Sequence, residues 1–285
     1  MVKNIKSGYF EIIVAATLWG SSGILVKILA LPATTISFFR LLFPTIILGG
    51  YLVYKKTKLF RGDNKVVLAS SALTALRIYL YTIAFLFTSV GNAVIIHYTW
   101  PIFAVLFSII ILKEKVNLRT LCLVAISFLG AVLIYANKQF SLDSKDFIGM
   151  VAVTLEAIIM GFTTTILKPG LERYSKYETV FYYNFLGAII FLPFVFINKP
   201  FPTVNQMLLG TAFSIVIGLV GYVLFFSALK KIGVIKTSLL SYLEMVSAIA
   251  LAAIILGEAV TWNMVLGGSL VVFSALGITK SKEEG

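Results

Sequence analysis

Apolar residues run along this chain in blocks of about twenty, the length of helix that crosses the hydrocarbon core of a bilayer. They show neither the alternation of a half-buried strand nor the single stripe of a surface helix. Ten blocks are present, at roughly 9–31, 34–54, 66–88, 91–112, 118–136, 148–168, 178–197, 205–228, 236–256 and 261–279, numbered spans 1 to 10. The longest polar stretches, near 55–65, 137–146 and 168–178, are too short to fold alone. The N-terminal "MVKNIKSGYFEIIVAATLWG" resembles a signal peptide, but its apolar run continues to about Leu31 and nine more runs follow. It is read as a retained first span. The pattern predicts an all-α integral membrane protein of ten transmembrane helices with no soluble domain.

Charge orients these spans. The chain has 24 Lys and Arg against 12 Asp and Glu, a net +12, yet only 13% of its residues are charged. A soluble chain would carry about a quarter. The basic residues sit in short loops rather than on one surface, so no nucleic-acid partner is predicted. With the N-terminus in the cytoplasm, eighteen of them fall on the cytoplasmic side and only Lys138, Lys145 and Lys199 on the other. That is a strong positive-inside bias. It predicts a multi-pass protein of the cytoplasmic membrane with both termini cytoplasmic. Cys122 is the one cysteine and lies inside a span, so neither a disulfide nor a thiolate metal site is expected, and no cofactor is called for.

The chain also repeats itself. "HYTWPIFAVLFSIIILKEKVN" (97–117) aligns without gaps on "SYLEMVSAIALAAIILGEAVT" (241–261) at an offset of 144, placing Tyr98 on Tyr242 and Trp100 on Glu244. "LWGSSGILVK" (18–27) aligns on "IMGFTTTILK" (159–168) at an offset of 141, matching Gly20 to Gly161. Each half, 1–140 and 141–285, then holds five spans. An odd number makes the second half enter from the opposite side, so the expected architecture is two inverted five-helix repeats with a midplane site between them. Pro32, Pro44, Pro101, Pro193 and "GSSG" permit the kinks and close contacts such bundles need.

These segments, with "FFRLLFPTII", "TSVGNAVIIHYTWPIFAVLFSIIILKEKVN", "SYLEMVSAIALAAIILGE" and a glycine-rich last span, resemble the EamA-type members of the drug/metabolite transporter superfamily over essentially the whole length. "SxxNAxxxxYxWPxF" is also similar to the branch that exports amino acids. The resemblance implies two five-helix repeats and transport of amino acids, nucleosides, quaternary amines or sugars. The proline that usually follows "YLE" is Met245 here, so no proline is present to bend span 9.

Ionisable groups inside spans cost about 2.5–3.5 kcal/mol each at the helix centre. Arg77, Glu156 and Glu244 fall close to their span centres and His97 about one turn away, whereas Arg40 and Glu11 lie nearer the ends. One arginine cannot neutralise two glutamates, so with neutral His97 the set carries a surplus negative charge. It would take a proton, a cation or a substrate amine. A zwitterionic amino acid would suit it, its carboxylate on Arg77 and its amine on a glutamate. The competing reading is a structural ion pair between Arg77 and a glutamate, locking the halves together. His97, Trp100 and Pro101 are spaced to share one helix side, where the proline frees the carbonyl of His97 from its helical bond. The run can build a polar notch with an aromatic wall, or simply pack a tryptophan beside a histidine bonded to backbone. Trp19, Tyr182 and Tyr222 lie deep in their spans, and Tyr81 is one turn from Arg77. Aromatic walls around negative charge are how organic cations are held. The candidate substrate-binding set is therefore Trp19, Arg77, Tyr81, His97, Trp100, Glu156, Tyr182, Tyr222 and Glu244.

No Walker A pattern is present, and no nucleophile arrangement is recognisable, so neither an ATP-driven pump nor an intramembrane enzyme is expected. The leading expectation is a secondary transporter of a small organic solute (an amino acid or related amine or metabolite) working by alternating access. Protons are a candidate coupling ion. An exporter or facilitator of organic cations, quaternary amines or nucleosides would use the same residues, and a membrane scaffold with a structural ion pair is the non-transporting alternative. Besides substrate and the lipid bilayer no partner is implied; monomer and homodimer both stay open. Orientation is the first thing to test. Asn64→Cys, in the loop after span 2, should resist an impermeant thiol reagent in intact cells. Ready labelling there would invert the topology.

Overall fold

The structure, a computed structural model, describes residues 2–29, 31–60, 65–87, 90–135, 144–197, 201–257 and 259–280; Asn64, Lys138 and Lys199 lie outside the described residues. Its helices are α1 (Val2–Gly20), α2 (Ser22–Leu29), α3 (Ala33–Tyr54), α4 (Lys65–Phe87), α5 (Val90–His97), α6 (Trp100–Ile111) and α7 (Leu118–Tyr135). They continue as α8 (Ser144–Arg173), α9 (Lys176–Ile197), α10 (Val204–Phe213), α11 (Tyr222–Ser241), α12 (Leu243–Leu256) and α13 (Trp262–Thr279). A π-helical stretch, Ser214–Gly221, joins α10 to α11. No strand occurs among the described residues. Six helical runs are long and apolar enough to cross a membrane, and two shorter apolar helices, near 118–134 and 243–255, accompany them.

These elements coincide with the ten expected spans once the breaks are placed within spans. Span 1 is α1 and α2, interrupted at Ser21, whose hydroxyl donates to the Leu18 carbonyl at 2.6 Å. Span 4 is α5 and α6, interrupted at Tyr98 and Thr99; Pro101 has no N–H to extend the helix and sits instead in the first turn of α6. Span 8 ends and span 9 begins inside α11, at Gly233, where φ is +79°. A side chain is disfavoured there, which makes glycine the residue for the turn. With Met245 in place of proline, α12 follows α11 after the single residue Tyr242, at φ −59° and ψ −21°, so span 9 bends little.

The most extensively packed pairs of spans follow one rule. Span 3 packs on span 6 and span 8 on span 1; span 4 packs on span 6 and span 9 on span 1. Span 3 also meets span 7 and span 2 meets span 8, while spans 2 and 7, and spans 5 and 10, pair with each other. Exchanging each span with its counterpart five places on leaves this list unchanged. Individual contacts repeat too. A Cβ on Gly20 would fall 2.7 Å from the Ser247 Cβ and 2.8 Å from the Ala248 nitrogen. A Cβ on Gly161 would fall 2.7 Å from both the Phe103 Cβ and the Ala104 nitrogen. The glycines are separated by 141 residues and their neighbours by 144, the two offsets read in the sequence. Near the centre, the Tyr242 hydroxyl donates to the Tyr98 carbonyl at 2.8 Å, with the two rings stacked at 6.1 Å.

Large apolar side chains also cover the outward surface. Ile46, Ile110, Phe196, Ile254, Trp262, Phe273 and Leu276 are all exposed. Lipid tails solvate such residues, so hydrophobicity alone cannot hold the helices together and close packing must. Spans 5 and 10 show how: a Cβ on Gly130 would meet the Gly267 carbonyl oxygen at 2.6 Å, and one on Gly267 would meet the Gly130 carbonyl oxygen in return. Backbone therefore touches backbone. Gly267→Ala should destabilise the protein by about 1–3 kcal/mol, the usual range for overpacking. Gly50→Ala, where nothing lies within 4 Å, should be neutral or slightly stabilising. Thermal unfolding in detergent compares the two.

Candidate functional site

Arg77, at mid-length in α4, is 2% exposed and faces α8, α9 and α11. Its Nη1 donates to Oε1 of Glu156 at 2.8 Å, and its Nη2 to the hydroxyls of Tyr183 at 3.3 Å and Tyr222 at 3.2 Å. The other oxygen of Glu156 lies 2.7 Å from Nδ1 of His97, the last residue of α5. One fully buried carboxylate thus ties three spans together. Arg40, on α3, donates through Nη2 to the same Tyr222 hydroxyl at 2.8 Å, its guanidinium carbon 5.6 Å from the centre of that ring. Tyr222 therefore accepts from two guanidinium groups.

The π-helical stretch allows this approach. Its wider turn and its glycines bring α3 and α1 against it: a Cβ on Gly218 would strike the Arg40 carbonyl oxygen at 2.5 Å, and one on Gly221 would strike the Trp19 indole. Ser214 donates to the Arg40 carbonyl at 3.3 Å, and the Trp19 indole N–H to the Ile217 carbonyl at 3.3 Å. Insertions of this type are frequent at functional sites. Here it aims Tyr222 at Arg40 and Arg77.

Around these groups lies a cavity of about 50 Å³, lined by Trp19, Ser22, Arg40, Arg77, Tyr81, His97, Met160, Ile217, Tyr222 and Glu244. Five side chains of the sequence-derived set other than Arg77 reach it: Trp19, Tyr81, His97, Tyr222 and Glu244. The Tyr81 and His97 rings meet edge to face at 5.3 Å, and those of Trp19 and Tyr222 lie 5.0 Å apart. Glu156 is adjacent, with both oxygens engaged by Arg77 and His97.

Three residues lie differently from what the sequence suggested. Trp100 is 1% exposed and packs on Phe225 at 6.4 Å, away from the cavity. Trp100 opens α6 after the turn at Tyr98 and Thr99, and its ring goes to Phe225. Tyr182 is also outside the lining: its hydroxyl accepts from the Phe60 backbone N–H at 2.7 Å, and its ring packs on Tyr174 and Phe60 near the 55–60 loop. One residue further along α9, Tyr183 is the one that turns to Arg77. Finally, the charge balance lacked Arg40. In the sequence that arginine lies nearer the end of its span, but the packing of α3 on the π-helical stretch turns it inward. The signal was there, an arginine inside an apolar run. Two arginines and two glutamates now balance.

Glu11, the remaining carboxylate of span 1, lies away from the cavity and pairs with Lys231 at 2.5 Å. The arrangement as a whole offers hydrogen-bond donors on Arg40 and Arg77, an acceptor on Glu244 and aromatic walls between them.

Comparison with known proteins gives the geometry a family. Residues 6–136 and 147–280 each match the EamA-like transporter family. An uncharacterized transporter, YxxF of Bacillus subtilis, is 27% identical over 99% of this chain and 92% of its own length. The pseudopaline exporter CntI of Pseudomonas aeruginosa is 24% identical over 98% of both chains. Solute carrier family 35 member G1 of the mouse is 26% identical, covering 95% of this chain and 78% of its own. One crystal structure superposes with a TM-score of 0.84 at 17% identity, covering 96% of both chains, a likeness of fold alone. With two matches that together take in nearly every span, this chain belongs to the EamA-like transporter family.

Proposed function

We propose that this protein is a secondary transporter that moves a small organic solute across the cytoplasmic membrane by alternating access. Its two halves, 1–140 and 141–285, act as inverted five-span repeats with both termini cytoplasmic, and the solute binds in the cavity between them. One observation carries this reading: a single polar cavity is lined from spans 1, 2, 3, 4, 6, 8 and 9, which belong to both halves. Around it, the most extensively packed helix pairs are unchanged when the halves are exchanged. The two separate family matches, one in each half, support the repeat. A cavity of about 50 Å³ has room for a few waters rather than for a metabolite. Solute entry therefore requires the halves to move apart, first on one face and then on the other.

In this scheme the Arg77–Glu156–His97 group is the joint between the halves. Spans 3 and 4 belong to the first half and span 6 to the second, so Glu156 grips two elements of the opposite half at once. His97 both lines the cavity and touches Glu156, so it links the cavity to the joint. The similarity to a pseudopaline exporter of Pseudomonas aeruginosa supports a transport role.

Reconstituted flux tests the proposal. Purified protein in proteoliposomes should move at least one of three labelled solute mixtures, amino acids, quaternary amines or nucleosides, with and without an imposed pH gradient. Absence of flux for all three would overturn it. The joint has its own test. Arg77→Ala leaves a buried carboxylate short of its cation and should cost about 3–5 kcal/mol in stability. Adding Glu156→Gln should recover a large part of that loss, measured by thermal unfolding; no recovery would mean that Arg77 does not act through Glu156.

A further inference from the structure

We propose that Lys168 is a latch on the cytoplasmic mouth of the cavity, which it holds shut by capping the end of span 8. This rests on the alternating-access reading and orientation above, and it names a residue that must let go for the cytoplasmic face to open. Packing joins spans 1, 8 and 9 into one group and spans 3, 4 and 6 into another, each drawn from both halves. The cavity lies between the groups, with Trp19, Tyr222 and Glu244 on one wall and Arg77, Tyr81 and His97 on the other. A path from it to the cytoplasm has to pass between the cytoplasmic ends of the two groups.

Two layers close that path. One turn beyond Tyr222, Phe225 of span 8 meets Trp100 of span 4, each 1% exposed. A further turn on, the Lys168 Nζ of span 6 donates to the carbonyls of Leu229 at 2.8 Å and Lys230 at 2.9 Å. Gly233, at φ +79°, turns the chain out of the helix just after them. The last carbonyls of a helix lack partners within it, and an ammonium group both satisfies them and suits the negative end of the helix dipole. Glu114, just beyond span 4, attracts the same ammonium, and a Cβ on Gly233 would lie 3.8 Å from its Oε1. The capped end is itself anchored: the Lys231 Nζ donates to Glu11 at 2.5 Å and to Ser7 at 3.1 Å, tying it to span 1 of its own group. Lys168 reaches it from the other group, so its bonds cannot survive a parting of the two at this face. At the offset of 141, Lys168 corresponds to Lys27, which an inverted repeat puts at the opposite mouth.

Sided labelling tests the latch. Cys122→Ser removes the one cysteine, and Ser22→Cys puts a thiol on the cavity wall. A charged, membrane-impermeant methanethiosulfonate is applied to inside-out or right-side-out membrane vesicles, and the labelling rate is measured from each face. Lys168→Met, which keeps the apolar stem but loses the ammonium, should raise the rate from the cytoplasmic face by about fivefold or more, the scale of one hydrogen bond's net contribution. The rate from the outer face should not rise. Lys168→Arg, which can still donate to the two carbonyls, should stay close to the parent rate. Lys27→Met, at the other mouth, should not raise the cytoplasmic rate. Poorer folding lowers the amount of labelled protein, not the sidedness of its rate. No cytoplasmic rise in Lys168→Met overturns the latch. So does an equal rise from both faces, or a rise of the same size in Lys168→Arg or Lys27→Met, since each would mark general loosening or a merely steric effect. The rates are read without any solute and judge the latch alone; absence of solute flux in proteoliposomes overturns the transport reading instead.

Discussion

A carboxylate buried at mid-membrane depth is tolerable only if cations or donors surround it, and Glu156 meets that condition with Arg77 on one oxygen and His97 on the other. The remaining site is built outward from this constraint. Holding Arg77 to α8 fixes the face that α4 turns inward, which carries Tyr81 to the cavity one turn away. Holding His97 fixes the end of α5, just before the break that Pro101 enforces. The Tyr222 hydroxyl then fills the other side of the Arg77 fork, and through it Arg40 is drawn in from α3. Removing both partners of such a pair is far milder than removing one, since the penalty comes from an orphaned charge rather than from a lost attraction.

Much of the fold was legible in the sequence because a bilayer leaves few choices. Backbone groups in hydrocarbon must bond within their own helix, so block length alone marks the spans. The offsets of 141 and 144 likewise reappear as repeated contacts at Gly20 and Gly161. What the sequence did not show was rotation. Whether Tyr182 or Tyr183 faces inward depends on how α9 is turned, and both are aromatic residues in an apolar run with no polar face to orient it. Nor does the pattern announce a π-helical stretch. "SIVIGLVG" reads as ordinary span, yet its wider turn decides where Tyr222 points and whether Arg40 is interfacial or central.

The halves are alike in packing but unlike in chemistry. At the overlay offset of 144, His97 corresponds to Ser241 and Trp100 to Glu244, so the second half places its carboxylate where the first has an indole. The π-helical stretch belongs to span 8, whereas its counterpart, α4, is a regular helix over its described length. The side chains at the centre therefore differ between the two halves even where the packing repeats.

The glycine seam between spans 5 and 10 carries a consequence for how this protein can change by mutation. At most crowded contacts, a larger residue on one side can be accommodated by a smaller one opposite. Gly130 and Gly267 allow no such exchange, because each abuts the other's backbone carbonyl and neither has a side chain left to give up. Relief of a substitution at either position must then come from moving an entire helix. Second-site suppressors, if selected, would be found along the flanks of the two spans and not across the seam.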